Sequence, residues 1–155
     1  MPIVLHRVDE RLIHGQVVVG WGSQLHAARI VVVDDDIAAS EWEQDLYCLG
    51  LPPEMTPEFV SVAQARTQIP EWRAGAERVI VLTRDVGTMA ALAQDGLLRG
   101  DEVNIGGIHH APGRRQVLPY VFLSEVEAGA LRDLAANGVD VSARDLPASR
   151  RPKEP

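Results

Sequence analysis

Two stretches of this chain, ARIVVVDD (28–35) and RVIVLT (78–83), run through β-branched and other apolar residues with almost no polar alternation. A strand with one wet face alternates in polarity. An unbroken apolar run suits a strand covered on both sides, as in parallel sheets whose crossover helices lie on the two faces. The rest of the sequence follows that rhythm. Strands are predicted at 2–8, 28–35, 58–62, 78–83, 101–109 and 139–146, with one or two short strands within 115–123. Helices are predicted at 14–25, 38–51, through about residue 73, 85–96 and 124–138, the last opened by the Ser124/Glu127 capping box and closed by Gly138. In 38–51, Trp42, Leu46 and Leu49 share one helical face, and the three tryptophans (Trp21, Trp42, Trp72) read as core or edge packing. The expected fold is three-layer α/β, a twisted, mostly parallel sheet with helices on both faces.

The chain has 155 residues, 46% of them hydrophobic, which suits one domain (1–146) followed by a polar tail (147–155). The single cysteine, Cys48, excludes an internal disulfide framework, fits a reducing compartment and is expected buried within its helix. The first residues lack the basic leader and apolar run of a signal peptide, and no window approaches the ~18 apolar residues of a membrane span. A cytoplasmic protein is therefore expected. The net charge of −7 argues against a nucleic-acid binder, whose affinity is largely phosphate neutralisation.

In open parallel sheets, ligands sit beyond the carboxyl ends of the strands. Three loops at that edge are chemically loaded: 7–16, 34–37 and 104–115. The first, RVDERLIHGQVV, places His14 between two arginines and two carboxylates where a helix begins. A neutral imidazole is a competent nitrogen nucleophile near pH 7. Arg7 and Arg11 offer fork-shaped donors to phosphoryl oxygens. Asp9 or Glu10 can accept the other ring N–H and so leave the attacking nitrogen bare, and Gly15 removes bulk where a partner must approach. The parts suit phosphoryl transfer through a phosphohistidine. The plainer reading, an ordinary surface ion pair beside a polar helix end, fits the spacing equally well.

RVDERLIHGQVV, followed by RIVVVDD and NIGGIHHAPGRRQV, resembles the IIB subunit of the mannose/fructose/sorbose-type phosphoenolpyruvate-dependent sugar phosphotransferase system, from about Ile3 to Leu146. The resemblance implies that His14 accepts a phosphoryl group at Nδ1 from phospho-IIA. It further implies transfer to a sugar presented by membrane IIC and IID subunits, without a cofactor. It implies a site lined by Arg7, Asp9, Arg11 and Gln16. Docked to those subunits, such a protein works at the inner face of the cell membrane. Glu10 stands where the family often has aspartate.

Asn104, Gly106 and Gly107 sit at a strand end where backbone can approach the site and Asn104 can bond a phosphoryl oxygen; a plain tight turn is the alternative. Adjacent His109 and His110 point differently along a strand, so no metal site is expected; His109 is placed near the site, His6 and His26 outside it. Among Asp34, Asp35 and Asp36 at least one is expected to cap the next helix. Arg114 and Arg115 read by default as a solvated hairpin tip, the alternative being a dock for an acidic partner or for the phosphoryl group. A regulatory module phosphorylated without transport needs the same first step and remains the alternative function. A histidine phosphatase is disfavoured because Ile13, not arginine, precedes the His-Gly pair. The sugar and any self-association are not legible.

Overall fold

A computed structural model describes residues 2–143 of the chain. Six parallel strands form one sheet in the order β3-β2-β4-β1-β5-β8: β1 (Ile3–Val8), β2 (Arg29–Val33), β3 (Thr56–Val60), β4 (Val79–Thr83), β5 (Glu102–Ile105) and β8 (Asp140–Ala143). A separate antiparallel hairpin, β6 (Arg115–Leu118) and β7 (Val121–Leu123), lies between β5 and the last helix. The predicted run 115–123 is thus two short strands. The helices are α1 (Asp35–Ala38), α2 (Glu41–Cys48), α3 (Val62–Ala74), α4 (Val86–Leu92) and α5 (Glu125–Ala136), with a short 3₁₀ turn at Gln94–Gly96. The predicted strand at 139–146 is observed to Ala143; its last residues and the tail lie outside the described residues.

The three layers follow from the pleat. Successive side chains of a strand face opposite sides. Ile30, Val32, Ile80 and Leu82 enter one core with Leu12, Val17, Trp21 and Ile37. Val31, Val33, Val79 and Val81 enter the other with Ile69, Met89, Leu92 and Leu131. Central strands with both faces buried need apolar residues at every position, which is why the two runs looked as they did.

Three departures from the expected elements have local causes. The segment predicted as a helix at 14–25 is a π-helix over Gln16–Gly22 rather than an α-helix. Gly20 and Gly22 weaken an α-helix there, and a Cβ on Gly22 would lie 2.7 Å from Met55 Cε, so the wide turn packs close against Met55. π-turns of this kind are rare and cluster at functional sites. The predicted helix 38–51 is two pieces. Asp34 Oδ1 accepts the Ile37 N–H at 3.0 Å and starts α1 early, as the capping expectation required. Extended Ser40 (φ −129°, ψ 96°) then breaks the chain before α2. Gln44 Nε2 donates to the Ile37 and Ala38 carbonyls, satisfying groups the break leaves open.

The third departure concerns side chains. Trp42, Leu46 and Leu49 do share a face, but it points to solvent: they are 70%, 57% and 82% exposed. Trp21 is buried and Trp72 packs against the larger core. Cys48 is half-buried.

The capping box of α5 is formed in full, with Ser124 Oγ accepting the Glu127 N–H and Glu127 accepting the Ser124 N–H. Replacing Ser124 by alanine is expected to lower unfolding free energy by about 1 kcal/mol, read as a lower urea midpoint at unchanged slope.

Candidate active site

β1 and β5 are neighbours, yet the chain leaves β1 toward β2 on one side and β5 toward β8 on the other. The loops therefore part and open a crevice at the carboxyl edge, the place where such sheets bind ligands. Loop 9–15 and loop 106–114 meet there. Glu10 N–H donates to the Gly107 carbonyl at 2.9 Å and Gly106 N–H to the Val8 carbonyl at 2.7 Å.

Beneath the crevice lies a buried charge pair. Arg7 and Asp9 are both 0% exposed. Arg7 Nη2 and Nε donate to Asp9 Oδ2 at 3.1 and 3.3 Å, and Nη1 donates to Asn104 Oδ1. The guanidinium carbon lies 5.4 Å from the Trp21 ring centroid, a cation–π contact. Asn104 Nδ2 donates in turn to Ser142 Oγ at 3.2 Å, and that hydroxyl donates to Glu102. Arg7 and Asn104, both predicted to line the phosphoryl site, are fully buried beneath the crevice. Arg7 holds Asp9 from below, and Asn104 in turn holds Arg7. Gly106 is required by this packing, since a Cβ there would overlap the Arg7 guanidinium and the Asp9 carboxylate. A Cβ on Gly107 would meet Arg11 only at 3.5 Å, ordinary contact distance.

Asp9 spends its remaining capacity upward. Oδ1 accepts the Arg11 backbone N–H at 3.0 Å and Arg11 Nε at 3.3 Å. Arg11 Nη2 also donates to Gln16 Oε1 at 2.8 Å, with 39% of its side chain exposed. Of the two predicted phosphate-binding arginines, Arg11 is the one at the surface. Burial pushes the Asp9 carboxyl up, but the charge of Arg7 and the Arg11 hydrogen bonds outweigh it and hold the group below its ordinary value of 3.8.

His14 sits over this platform with 16% of its side chain exposed. Nδ1 donates to the Leu12 carbonyl at 2.8 Å, which places the proton on Nδ1. Nε2 is buried without a hydrogen-bond partner, 3.7 Å from Asp9 Oδ2. Each ring nitrogen thus has an acceptor beside it, so a proton held on one leaves the other with its lone pair. Leu12 itself is fully buried with φ at +53°, a left-handed conformation costly for leucine. Strain of that kind is retained where surrounding structure enforces it, commonly at functional sites. Gly15 is exposed, and a Cβ there would meet nothing within 4 Å, so crowding within the chain does not require the glycine.

A second set of contacts ties the two loops together. Glu10 accepts the His109 backbone N–H, and its Oε1 lies 2.9 Å from His109 Nδ1. Arg114 donates to Glu10 at 3.2 Å and to both oxygens of Glu127 at 2.9 and 2.8 Å. Arg114 is a clasp between loops and α5, not a solvated tip. Arg115 is exposed, within 3.8 Å of Glu125. His109 stands at the site as expected. An open cleft of about 260 Å³ runs from Arg11 and Gln16 to His109, His110, Tyr120 and Phe122.

Sequence reasoning missed Trp21, Ser142 and the clasp. An arginine inside an apolar central strand signals that partners must exist, but not which ones. Nothing in the sequence signals a left-handed leucine.

Residues 3–153 match the protein family described as "PTS system sorbose subfamily IIB component". The chain belongs to that family. The mannose-specific EIIAB component of Escherichia coli K12 is 32% identical over 146 residues, covering 94% of this chain but 45% of that protein, so this chain spans about half its length. The fructose-specific EIIB component of Bacillus subtilis is 33% identical over 148 residues, 95% of this chain and 90% of that one. Among solved structures, the IIBSor domain of the sorbose permease from Klebsiella pneumoniae superposes with a TM-score of 0.86 at 30% identity, over 98% of this chain and 93% of that. The mostly parallel three-layer fold is shared with it. No helix among the described residues is long and apolar enough to cross a membrane.

A carboxylate whose folded value is depressed stabilises the fold above its ordinary value and loses that contribution as pH falls toward the folded one. Asp9 therefore predicts falling stability below about pH 4. Asp9→Asn, which leaves Arg7 buried without its counter-charge, is expected to cost about 3 kcal/mol at neutral pH. Urea midpoints taken from pH 6 to 3 should then fall less steeply in the variant than in the wild type, the residual slope coming from Asp101 and Glu127, which are also depressed.

Proposed function

We propose that this chain is the phosphocarrier IIB component of a sugar phosphotransferase system, taking a phosphoryl group from phospho-IIA on His14 and passing it to a sugar. The observation that carries the reading is the setting of the ring: Nδ1 bonded to a backbone carbonyl and Nε2 unbonded with a carboxylate 3.7 Å away, beside an exposed guanidinium at the crevice. Family membership supports the chemistry. The relatives named for mannose and fructose do not fix the sugar of this chain.

In the first step a His14 nitrogen attacks phosphorus in line as the P–N bond to the donor histidine breaks, and the donor keeps the electron pair. Arg11, kept oriented by Asp9 and Gln16, neutralises the phosphoryl oxygens. In the second, a sugar hydroxyl oxygen attacks phosphorus, the His14 N–P bond breaks and the hydroxyl proton is lost to a base. Acceptance at Nδ1, which the family likeness implies, requires the ring to leave the Leu12 carbonyl and carry its proton on Nε2, toward Asp9. The acceptor sugar is presented by membrane IIC and IID subunits, which places the working protein at the cytoplasmic face of the membrane.

Phosphoenolpyruvate, the general phosphotransferase enzymes and IIA are expected to load the wild type with acid-labile, base-stable phosphate. His14→Ala is expected to take up none, and Arg11→Ala to load at least tenfold more slowly, about 1.4 kcal/mol of transition-state stabilisation. Continued loading of His14→Ala at the wild-type level overturns the reading.

A further inference from the structure

Five large apolar side chains are markedly exposed among the described residues, and three of them, Trp42, Leu46 and Leu49, lie on one face of the α2 region. Spacings of four and three residues align them in a single ridge. Scattered exposed apolar residues are ordinary, whereas a contiguous ridge of this size marks an interaction surface. The helix is otherwise dispensable to the core: no residue of α2 is fully buried, and it is moored by half-buried Tyr47 and by the Gln44 side chain. Tyr47 packs into the same core as Val17, Val18 and Trp21 of the π-helix that follows His14, so ridge and reaction site share one layer of the molecule.

Charge identifies the occupant. Residues 34–54 carry seven carboxylates (Asp34 to Asp36, Glu41, Glu43, Asp45 and Glu54) and no arginine or lysine. The other 15 acidic residues of the chain equal its 15 basic ones, so the entire formal charge of −7 resides in the segment bearing the ridge. A second copy of this chain would bring acid against acid. An anionic leaflet would repel the segment for the same reason. Cytoplasmic loops of integral membrane proteins, by contrast, carry an excess of lysine and arginine. We propose that the α2 ridge docks the chain onto the basic cytoplasmic loops of its membrane-embedded sugar-transport subunits, a surface distinct from the His14 crevice. The inference rests on the phosphocarrier reading for the existence of that membrane acceptor.

The test uses the full chain carrying Trp42→Gln, Leu46→Gln and Leu49→Gln together, exposed changes that leave the fold intact. A second variant, Glu41→Lys with Glu43→Lys, keeps the ridge and reverses its rim. Both are assayed for sedimentation with inside-out vesicles bearing the cognate membrane subunits, with protein-free vesicles of the same lipids, and for phosphoryl uptake from phospho-IIA. Expected are binding to the subunit-bearing vesicles weakened at least tenfold in both variants, no binding to bare lipid, and phosphoryl uptake within twofold of wild type. Unchanged vesicle binding overturns the proposal. So does equal binding of wild type to bare lipid, or parallel loss of phosphoryl uptake, which would make phospho-IIA the occupant. Vesicle binding needs no phosphoryl group, so a wild type that binds through the ridge yet never becomes phosphorylated overturns the phosphocarrier reading while upholding the docking surface.

Discussion

A guanidinium and a carboxylate with no exposure at all, Arg7 and Asp9, sit at the end of the central strand and fix nearly everything above them. Burying two charges is costly, and the cost is offset only when geometry is good and every remaining donor and acceptor is used. Here Arg7 reaches Asp9, Asn104 and the Trp21 face, and Asp9 reaches Arg7 and both the backbone and side chain of Arg11. The pair is a poor source of net stability but a strict source of orientation. Asp9 has one position consistent with all these bonds, and that position puts Oδ2 under the His14 ring.

The loops above the pair are tied to the frame at both ends. Glu10 binds loop 106–114 through His109 and Arg114, and Arg114 passes the connection to Glu127, the residue that completes the α5 capping box. A helix cap on one side of the sheet is thereby coupled to the loop that carries His14. The ring nevertheless retains one degree of choice, because it has an acceptor at each nitrogen. A phosphocarrier needs both qualities, a fixed anion-binding neighbour in Arg11 and a ring able to exchange its proton.

How much of this the sequence disclosed depends on the range of the interaction. The buried strands were legible because covering both faces forces apolar residues at every position, as in Val31 to Val33. The helix caps at Asp34 and Ser124 were legible because they act over three residues. His14 with Asp9 and Arg11 was legible because loop and site coincide within one short segment. The direction of Arg7 was not, since its burial is set by Asn104, 97 residues away, and by the sheet order that makes β1 and β5 neighbours. The outward face of Trp42, Leu46 and Leu49 was misread for a related reason. Helical periodicity reveals that an apolar face exists; whether the protein's own core or another surface covers it is decided elsewhere.

If the buried pair acts by orienting the site rather than by holding the fold, apolar side chains of similar size should keep the fold and lose the chemistry. The decisive measurement is the rate of phosphoryl uptake from phospho-IIA by the double variant Arg7→Met/Asp9→Leu, taken beside its urea midpoint. The account predicts a cooperatively unfolding protein whose loading rate has fallen at least a hundredfold. A folded double variant that loads at the wild-type rate would contradict it.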